Sequence, residues 1–458
     1  MRRLVYPLHE RLKGKRTLAW LARVERSQWL DPAALRELQL SRLREHLAFA
    51  RDHVPYYRRL FAEHGIRPER IASLDDFRRV PYLTRDVLRA RFADLRAAAR
   101  LRGVQRLATG GSSGAPVSVL VDAERMAIGD AFRLRAHRWF GVEPGDREVV
   151  LWGAPFELNR QDRLRALRDR LLNSRLLSAF QMTPAALDRY GEAIARDRPR
   201  KMYGYASALY LLARHLRVAG WTPPRELAAV FTTAEPLLDV QRRTIAEVFG
   251  CRVATEYGSR DAGLTANECP EGGLHVPVEG IVVELADVGA DGVGEIVVTN
   301  LYSPAMPIIR YRTGDLGRLE PQPCRCGRTL PRLASVEGRS TDFLVTPDGR
   351  VMHALAVIYV LRETPGVGEF QVEQESVTRV TVRIVPDGAF TRADRARLLE
   401  RLGRVLGDEV GVEIDEVALI PPGPGGKFRH VVSRVAGTAT ESLVAAGGAA
   451  GPAGAPRA

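Results

Sequence analysis

Three stretches of this chain carry side chains suited to handling a nucleotide. In ATGGSSGAPVSVLVD (108–122), the six residues Thr109, Gly110, Gly111, Ser112, Ser113 and Gly114 precede a proline and an apolar run. Glycine lets the backbone approach a ligand closely, and successive N–H groups with hydroxyls beside them can cradle phosphate oxygens. A plain Gly-Ser turn would use the same residues. The stretch lacks the Gly-Lys-Ser/Thr ending of a Walker loop, which argues against a Walker-type NTPase. In TEYGSRDAG (255–263), Asp261 is a carboxylate able to hold Mg²⁺ beside a nucleotide; a loop with a charged tip is the alternative. In IIRYRTGDLG (308–317), Asp315 follows a Thr-Gly pair and could accept hydrogen bonds from ribose hydroxyls, or simply sit in a hairpin turn.

Lysine is scarce. Of 68 Lys plus Arg, only Lys13, Lys15, Lys201 and Lys427 are lysines, and Lys427 stands in PPGPGGKFRH (421–430) behind two glycines. An ammonium is a compact charge on a flexible stem, whereas a guanidinium is a planar fork poorly suited to a narrow contact with a single oxygen. A surface lysine in a flexible turn is the plain reading of Lys427.

A second chemistry is metal binding. ECPEGGLHV (268–276) and QPCRCGRTLP (322–331) supply Cys269, His275, Cys324 and Cys326. Four such ligands suffice for a closed tetrahedral Zn²⁺ site of the structural kind. The Cys-x-Cys spacing is tighter than the common Cys-x₂-Cys, and four unrelated reduced thiols and imidazoles is the competing account. Cys251, at the start of an apolar run, reads as a small buried hydrophobe.

These residues need elements to position them. The chain has 458 residues, enough for two or three domains. Residues 1–100 read as mostly helical, with Asp31 as N-cap and Pro32 opening the helix of 31–54. From 104 to 300 apolar runs at 147–154, 227–234 and 251–258 alternate with helices such as 236–250, the rhythm of an α/β domain. RQDRLRALRDRLLNSRLL (160–177) reads as a helix with a charged, solvated face. After Gly338 the pattern shifts to period-two runs at 369–374, 377–385 and 410–420 around a helix of 391–407. The expected architecture is therefore a large α/β domain over 1–338 and a small α+β domain over 339–435. A low-complexity tail at 436–458 is expected to be disordered.

The formal net charge of +13 invites a nucleic-acid reading, but the arginines are interleaved with acids and no nucleic-acid-binding motif is present. The excess suits a polyanionic substrate such as ATP or coenzyme A equally well. No apolar run is long enough to span a bilayer, and the basic N-terminus lacks a signal-peptide pattern. A cytoplasmic protein with neither membrane nor nucleic-acid partners is expected.

In their order, the nucleotide-handling stretches, the VEGRSTDFL segment (336–344) and the Lys427 turn resemble the adenylate-forming superfamily of acyl-CoA synthetases. The nearer likeness is to phenylacetate–CoA ligases and CapK-like proteins. Residues 27–61 and 71–92 also resemble that subfamily, so the likeness covers roughly residues 5 to 435. It implies a large N-terminal domain that binds ATP and acid and a small mobile C-terminal domain that carries the catalytic lysine. Thr109 to Gly114 would wrap the ATP phosphates, with Tyr257 and Gly258 bordering the adenine and acyl pocket. Asp261 would stand at the Mg²⁺-associated carboxylate, Asp315 would bind the ribose hydroxyls and Arg339 would assist. Ser340, Thr341 and Asp342 would form the hinge, and Lys427 would bridge the substrate carboxylate and the α-phosphate. Tyr203, Tyr205, Ser207, Glu235 and the segment from Trp152 are expected around the acyl pocket. Some CapK-like relatives share the Cys/His pattern.

The implied activity is ATP-dependent activation of a carboxylic acid to an acyl-adenylate, then thioester formation with coenzyme A. The alternatives are transfer of the acyl group to a carrier protein or amine, transfer of AMP to a cofactor hydroxyl, or a non-catalytic nucleotide- or nucleic-acid-binding protein on the same scaffold. A homodimer is compatible with all of these. Two departures stand out: Val117 follows Ala115-Pro116 where lysine is usual, and Arg260-Asp261 replaces a small hydroxyl residue followed by Glu.

Overall fold

Capping and proline placement define the first helices. They are α1 (Thr17–Ser27), α2 (Pro32–His53), α3 (Pro55–Glu63), α4 (Leu74–Phe77) and α5 (Arg85–Ala90). The Asp31 carboxylate accepts the N–H groups of Ala33 and Ala34 at the start of α2, and Ser73 with Asp76 forms a capping box on α4. Pro55 forces Val54 into an extended conformation, which ends α2 and begins α3. Leu43, Leu47, Tyr57 and Phe61 from these helices enter the main core. The structure is a computed structural model. It describes residues 10, 14–108, 117–152, 172–179, 182, 184–339, 343–347, 351–353, 355–387, 390–421 and 430–435.

An antiparallel ribbon of β1 (Gln105–Ala108) and β2 (Ser118–Val121) leads into α6 (Ala123–Arg138), capped by Asp122. The α/β portion follows: β3 (Glu148–Trp152), β4 (Ser174–Ser178), α7 (Pro184–Asp197), β5 (Lys201–Tyr205), α8 (Ala206–Val218), β6 (Ala229–Thr233), α9 (Asp239–Phe249) and β7 (Arg252–Ser259). Then come β8 (Gly263–Glu268), β9 (Leu274–His275), β10 (Ile281–Ala286), β11 (Gly294–Asn300), β12 (Ile308–Glu320) and β13 (Arg332–Arg339).

The strands β3 to β13 form one eleven-stranded sheet in the order β10-β11-β12-β13-β9-β8-β7-β6-β5-β3-β4. Strands β4, β3, β5, β6 and β7 run parallel, as helical crossovers require. All five residues of β6 are buried, which suits a central strand covered on both faces. At β7 the direction changes, because the link to β8 is too short for a crossover and β8 must pair antiparallel. One expectation is corrected here. Ser174–Ser178 is not the end of a helix; it is strand β4, paired in parallel with β3. Its short Leu176-Leu177 apolar run cannot separate strand from helix by periodicity alone. The earlier part of that expected helix lies outside the described residues.

The chain divides into two compact units, Met1–Gly338 and Arg339–Ala458. The second contains a hairpin of β14 (Phe343–Val345) and β15 (Val351–His353), then α10 (Leu355–Arg362), β16 (Val367–Ser376), β17 (Arg379–Pro386), α11 (Arg392–Leu406), β18 (Gly411–Glu416) and β19 (Val431–Ser433). Its four-stranded sheet has the order β18-β17-β16-β19. Phe370, Val372, Val380, Val382 and Ile384 alternate inward and are buried, as are Leu398 and Leu402 of α11. Among the described residues no helix is long and apolar enough to cross a membrane.

Candidate active site

Ligands of open α/β sheets gather beyond the carboxyl ends of the parallel strands. Strand β7 ends there with Tyr257-Gly258-Ser259 and turns tightly into β8. A Cβ on Gly258 would lie 2.6 Å from the Gly263 carbonyl oxygen, so any larger residue would pry the two strands apart. This close crossing delivers Asp261 to the turn, where it is only 4% exposed.

The Asp261 carboxylate is held from three sides. Ser259 Oγ and the Ala262 N–H donate to Oδ1, and the Tyr311 hydroxyl donates to Oδ2 at 2.6 Å. Burial opposes its charge, yet the Ser259 and Tyr311 hydrogen bonds and the Arg85 guanidinium outweigh burial and hold the carboxyl below the usual range. Three of about four acceptor positions are thus used within the chain. One lone pair on Oδ2 remains, enough for a single bond to a hard cation that takes the rest of its shell from phosphate and water.

Asp315 approaches from β12. No turn forms at Thr313-Gly314: β12 continues from Ile308 to Glu320, and its pairing with β11 slips between Glu295 and Val297. Such a bulge re-aims side chains beside a site. Tyr257 donates its hydroxyl to Asp315 Oδ2 at 2.9 Å, and the Asp315 N–H is fixed on Thr313 Oγ1 at 3.1 Å. Burial, with the Asp315 charge second, raises the Tyr257 phenol well above its ordinary value, so it stays a donor. Arg85 of α5 donates to the Thr313 carbonyl at 2.6 Å and to the Tyr311 hydroxyl at 3.4 Å. Residues from β7, β12 and α5 therefore form one polar cluster.

Tyr311→Phe is expected to remove the Oδ2 donor while keeping the ring. The net loss of a charge-assisted hydrogen bond is about 1.5–3 kcal/mol. The sign of the pH effect follows from the direction of the shift. A lowered folded-state value contributes stability above the unfolded value of about 3.9, lost as pH falls through the folded value. The variant should therefore lose stability at neutral pH and converge on wild type in acid. Urea denaturation at pH 7 and pH 3 measures this, and an equal loss at both would contradict it.

The expected acyl-pocket residues lie near the same edge. Tyr205 ends β5 and is buried, with its ring centroid 4.3 Å from that of Trp152. Ser207 stands in the first turn of α8. Glu235 is buried just after β6, and Ala234 before it has φ of 67°, a left-handed conformation that costs a non-glycine residue about 1–3 kcal/mol.

Sequence reasoning missed a buried polar chain on the α6 side of the sheet. Lys201 Nζ lies 2.8 Å from Glu148 Oε2 and 3.1 Å from His137 Nδ1. The ammonium can only donate, so Nδ1 accepts and Nε2 carries the proton. That proton faces Glu256 Oε1 at 3.3 Å, although the angle falls short of a hydrogen bond. Glu256 Oε2 accepts from Arg133 Nε and from the Tyr203 hydroxyl, each at 3.1 Å. Burial, reinforced by Lys201, pushes His137 down to about 4. Burial opposes the Glu256 charge, but Arg133 and His137 outweigh it and hold that carboxyl at about 2. The available signal was charge inside otherwise apolar strands, at Lys201 and Glu256.

The four metal-binding candidates converge. One ligand atom from each of Cys269, His275, Cys324 and Cys326 lies within 4.8 Å of all the others. Cys269 Sγ and Cys324 Sγ are 3.7 Å apart, close to the ~3.8 Å edge of a tetrahedron with zinc–sulfur bonds of about 2.3 Å. His275 Nδ1 faces the Leu330 carbonyl at 3.0 Å, which leaves Nε2 as the free acceptor, 3.2 Å from Cys326 Sγ. A Cβ on Gly273 would fall 2.8 Å from Cys324 Sγ, so the turn must be bare where the thiols meet. Donor set and spacing fit a four-coordinate zinc ion. Cys251 stands apart, half-buried against the core of β3, β5 and α8, with burial raising its thiol to about 12.

The expected phosphate loop Thr109 to Gly114, the hinge Ser340 to Asp342 and Lys427 lie outside the described residues. Arg339 is the last residue of β13, and β19 begins four positions after Lys427.

The CapK C-terminal domain model matches residues 344–434. The phenylacetate–coenzyme A ligase of Thermus thermophilus is 29% identical over 87% of this chain and 96% of its own length. That of Pseudomonas putida is 30% identical over 68% of this chain and 72% of its own length. Among solved structures, 2-hydroxyisobutyryl-CoA ligase in the postadenylation state superposes with a TM-score of 0.71 at 24% identity, covering 92% of this chain and 94% of that one. The chain therefore belongs to the phenylacetate–coenzyme A ligase family of adenylate-forming enzymes.

Proposed function

We propose that this protein is an AMP-forming acid–CoA ligase. In the first half-reaction a carboxylate oxygen of the acid attacks the α-phosphorus of ATP and pyrophosphate leaves. In the second the thiolate of coenzyme A attacks the acyl carbon, forming the thioester and expelling AMP. The observation that carries the reading is the pairing of Tyr257 with Asp315 beside the Asp261–Tyr311 contact at the carboxyl edge of the sheet.

Within this reading Asp315, steadied by Tyr257 and the Thr313 hydroxyl, accepts the ribose hydroxyls. Arg339 assists it. Thr109 to Gly114 wrap the phosphates. Asp261 would hold Mg²⁺ through Oδ2, and the ion would supply charge neutralisation for the departing pyrophosphate. Lys427 spans the two anions as they approach and is withdrawn when residues 340–342 swing the small unit away for thioester formation.

The Cys269, His275, Cys324 and Cys326 set holds a structural zinc ion. With four protein ligands it has no open position for chemistry. It ties the β8–β9 turn to the segment before β13, and so braces the ends of β8 and of β12, the strand that carries Asp315.

The test is a pyrophosphate-release screen with ATP, Mg²⁺ and aryl, fatty, amino and sugar acids, each with and without coenzyme A. Acid-dependent pyrophosphate release with stoichiometric loss of free coenzyme A thiol is expected for one class. Release without thiol consumption would redirect the acyl group to another acceptor, and no release with any acid would end the ligase reading.

A further inference from the structure

In the buried chain on α6 the Arg133 side chain is 37% exposed, while its partner Glu256 is 2% exposed. The guanidinium is packed beside Tyr203, Glu256 and Asp130. Trp152, whose ring centroid lies 6.2 Å from that of Tyr203, and Tyr257 are half-buried. Glu256 stands opposite Thr233, the last residue of β6, so Arg133 reaches the carboxyl end of the parallel strands, one residue from the Tyr257 that meets Asp315.

The guanidinium is fixed but not saturated. Its Nε donates to Glu256 Oε2 at 3.1 Å, and its plane centre lies 5.3 Å from the Tyr203 ring. Its nearest other acceptor, Asp130, is 3.8 Å away, beyond hydrogen-bond reach, and is itself engaged by Lys15 at 2.7 Å. Among the described residues the four N–H bonds on the two terminal nitrogens thus have no hydrogen-bond partner. Glu256 offers an incoming ligand little, since Oε2 already accepts from Arg133 and Tyr203 and His137 closes off Oε1. Charges here balance in pairs: Arg133 with Glu256, Lys15 with Asp130 and Lys201 with Glu148.

We infer that Arg133 is a specificity-determining residue of the acid pocket, and that the acid substrate carries, beyond the carboxylate to be activated, a neutral oxygen acceptor such as a hydroxyl or oxo group. A ligand that displaces water from these N–H donors must supply an acceptor or leave them unpaired. The local charge balance offers no surplus to compensate a second carboxylate, and the occupied Glu256 gives an amino substituent no counter-charge. An aromatic or alkyl body packs against Tyr203 and Trp152. This rests on the ligase reading, and the two can fail separately.

The experiment compares matched acids by pyrophosphate release: phenylacetate, 4-hydroxyphenylacetate and 4-carboxyphenylacetate, and butyrate, 4-hydroxybutyrate and succinate. The wild-type protein should favour the hydroxy acid of the accepted series by roughly 10- to 100-fold in kcat/KM, because a site built to hydrogen-bond a hydroxyl discriminates against its absence. Arg133→Gln should bring that ratio near one, mainly through KM. Arg133→Lys keeps the charge beside Glu256 while removing the fork, and should give an intermediate ratio if the glutamine variant does not fold. A wild-type protein that takes the plain acid or the diacid as well as the hydroxy acid overturns the inference and leaves the ligase reading standing. A ratio unmoved in a folded Arg133 variant overturns it as well. Silence toward every acid, here and in the wider screen, removes the ligase reading itself.

Discussion

Lys427→Ala is expected to cut acid-dependent pyrophosphate release by at least about 10²- to 10³-fold, the scale on which loss of one preorganised transition-state contact is felt. Thioester formation from preformed acyl-adenylate should stay within a few-fold of wild type. The asymmetry comes from where charge builds. In adenylation two anions approach, and a cation touching both stabilises the transition state more than the ground state. In the second half-reaction the leaving group is AMP and the nucleophile is a thiolate, and on the proposed reading Lys427 takes no part. Lys427→Arg should recover little, because a planar fork neither fits the narrow contact nor places one charge between two oxygens. Separate assays of the two half-reactions decide the matter. Equal losses in both would mean that Lys427 serves folding or general ATP binding, and the assigned role would be withdrawn.

What the sequence disclosed, and what it did not, follows from the range of the interactions involved. Fold class was readable because it rests on local signals. The Asp31-Pro32 start of α2, the Thr391–Asp394 capping box of α11 and the alternating apolar residues Val380, Val382 and Ile384 of β17 all depend on near neighbours. β4 was misread because a five-residue strand after an arginine-rich stretch has no distinctive period, and only pairing with β3 gives it an identity. Asp261 and Asp315 were identified by type and motif, but their engagement with Tyr311 and Tyr257 spans 50 and 58 positions and could not be read from spacing. The pairing within the Arg133, His137, Lys201 and Glu256 chain was hidden for the same reason. Arg133 and His137 stand among several charges on α6, and their partners on β5 and β7 are set by the register of β5, β6 and β7 under that helix. The excess of arginine was therefore a poor guide to a partner. Arg135 with Glu279 and Arg310 with Glu284 are buried pairs, spent inside the molecule.

The purified protein should contain about one zinc ion per chain, as the four-ligand geometry requires. Cys324→Ser should release it. A closed site of two cysteines from one loop and a cysteine and histidine from another binds only when the loops are together, so its binding free energy is local folding free energy. The β8–β9 turn is otherwise held by short pairings, since β9 is two residues long and pairs with β8 and with β13 through two positions each. Metal loss should therefore loosen residues 268–276 and 322–331 first. Amide exchange there should accelerate on the order of 100-fold, equivalent to about 2.7 kcal/mol of lost protection. The core strands β5 and β6 should be unaffected. Cys251→Ser, which changes a thiol outside the cluster, should leave both metal content and exchange as they were. Because Asp315 lies on β12, which runs into the loop of Cys324 and Cys326, the metal-free protein should bind ATP more weakly before it loses its fold. Full metal content in Cys324→Ser, or unchanged exchange in a demonstrably metal-free protein, would reduce the tetrad to four packed side chains with no bracing role.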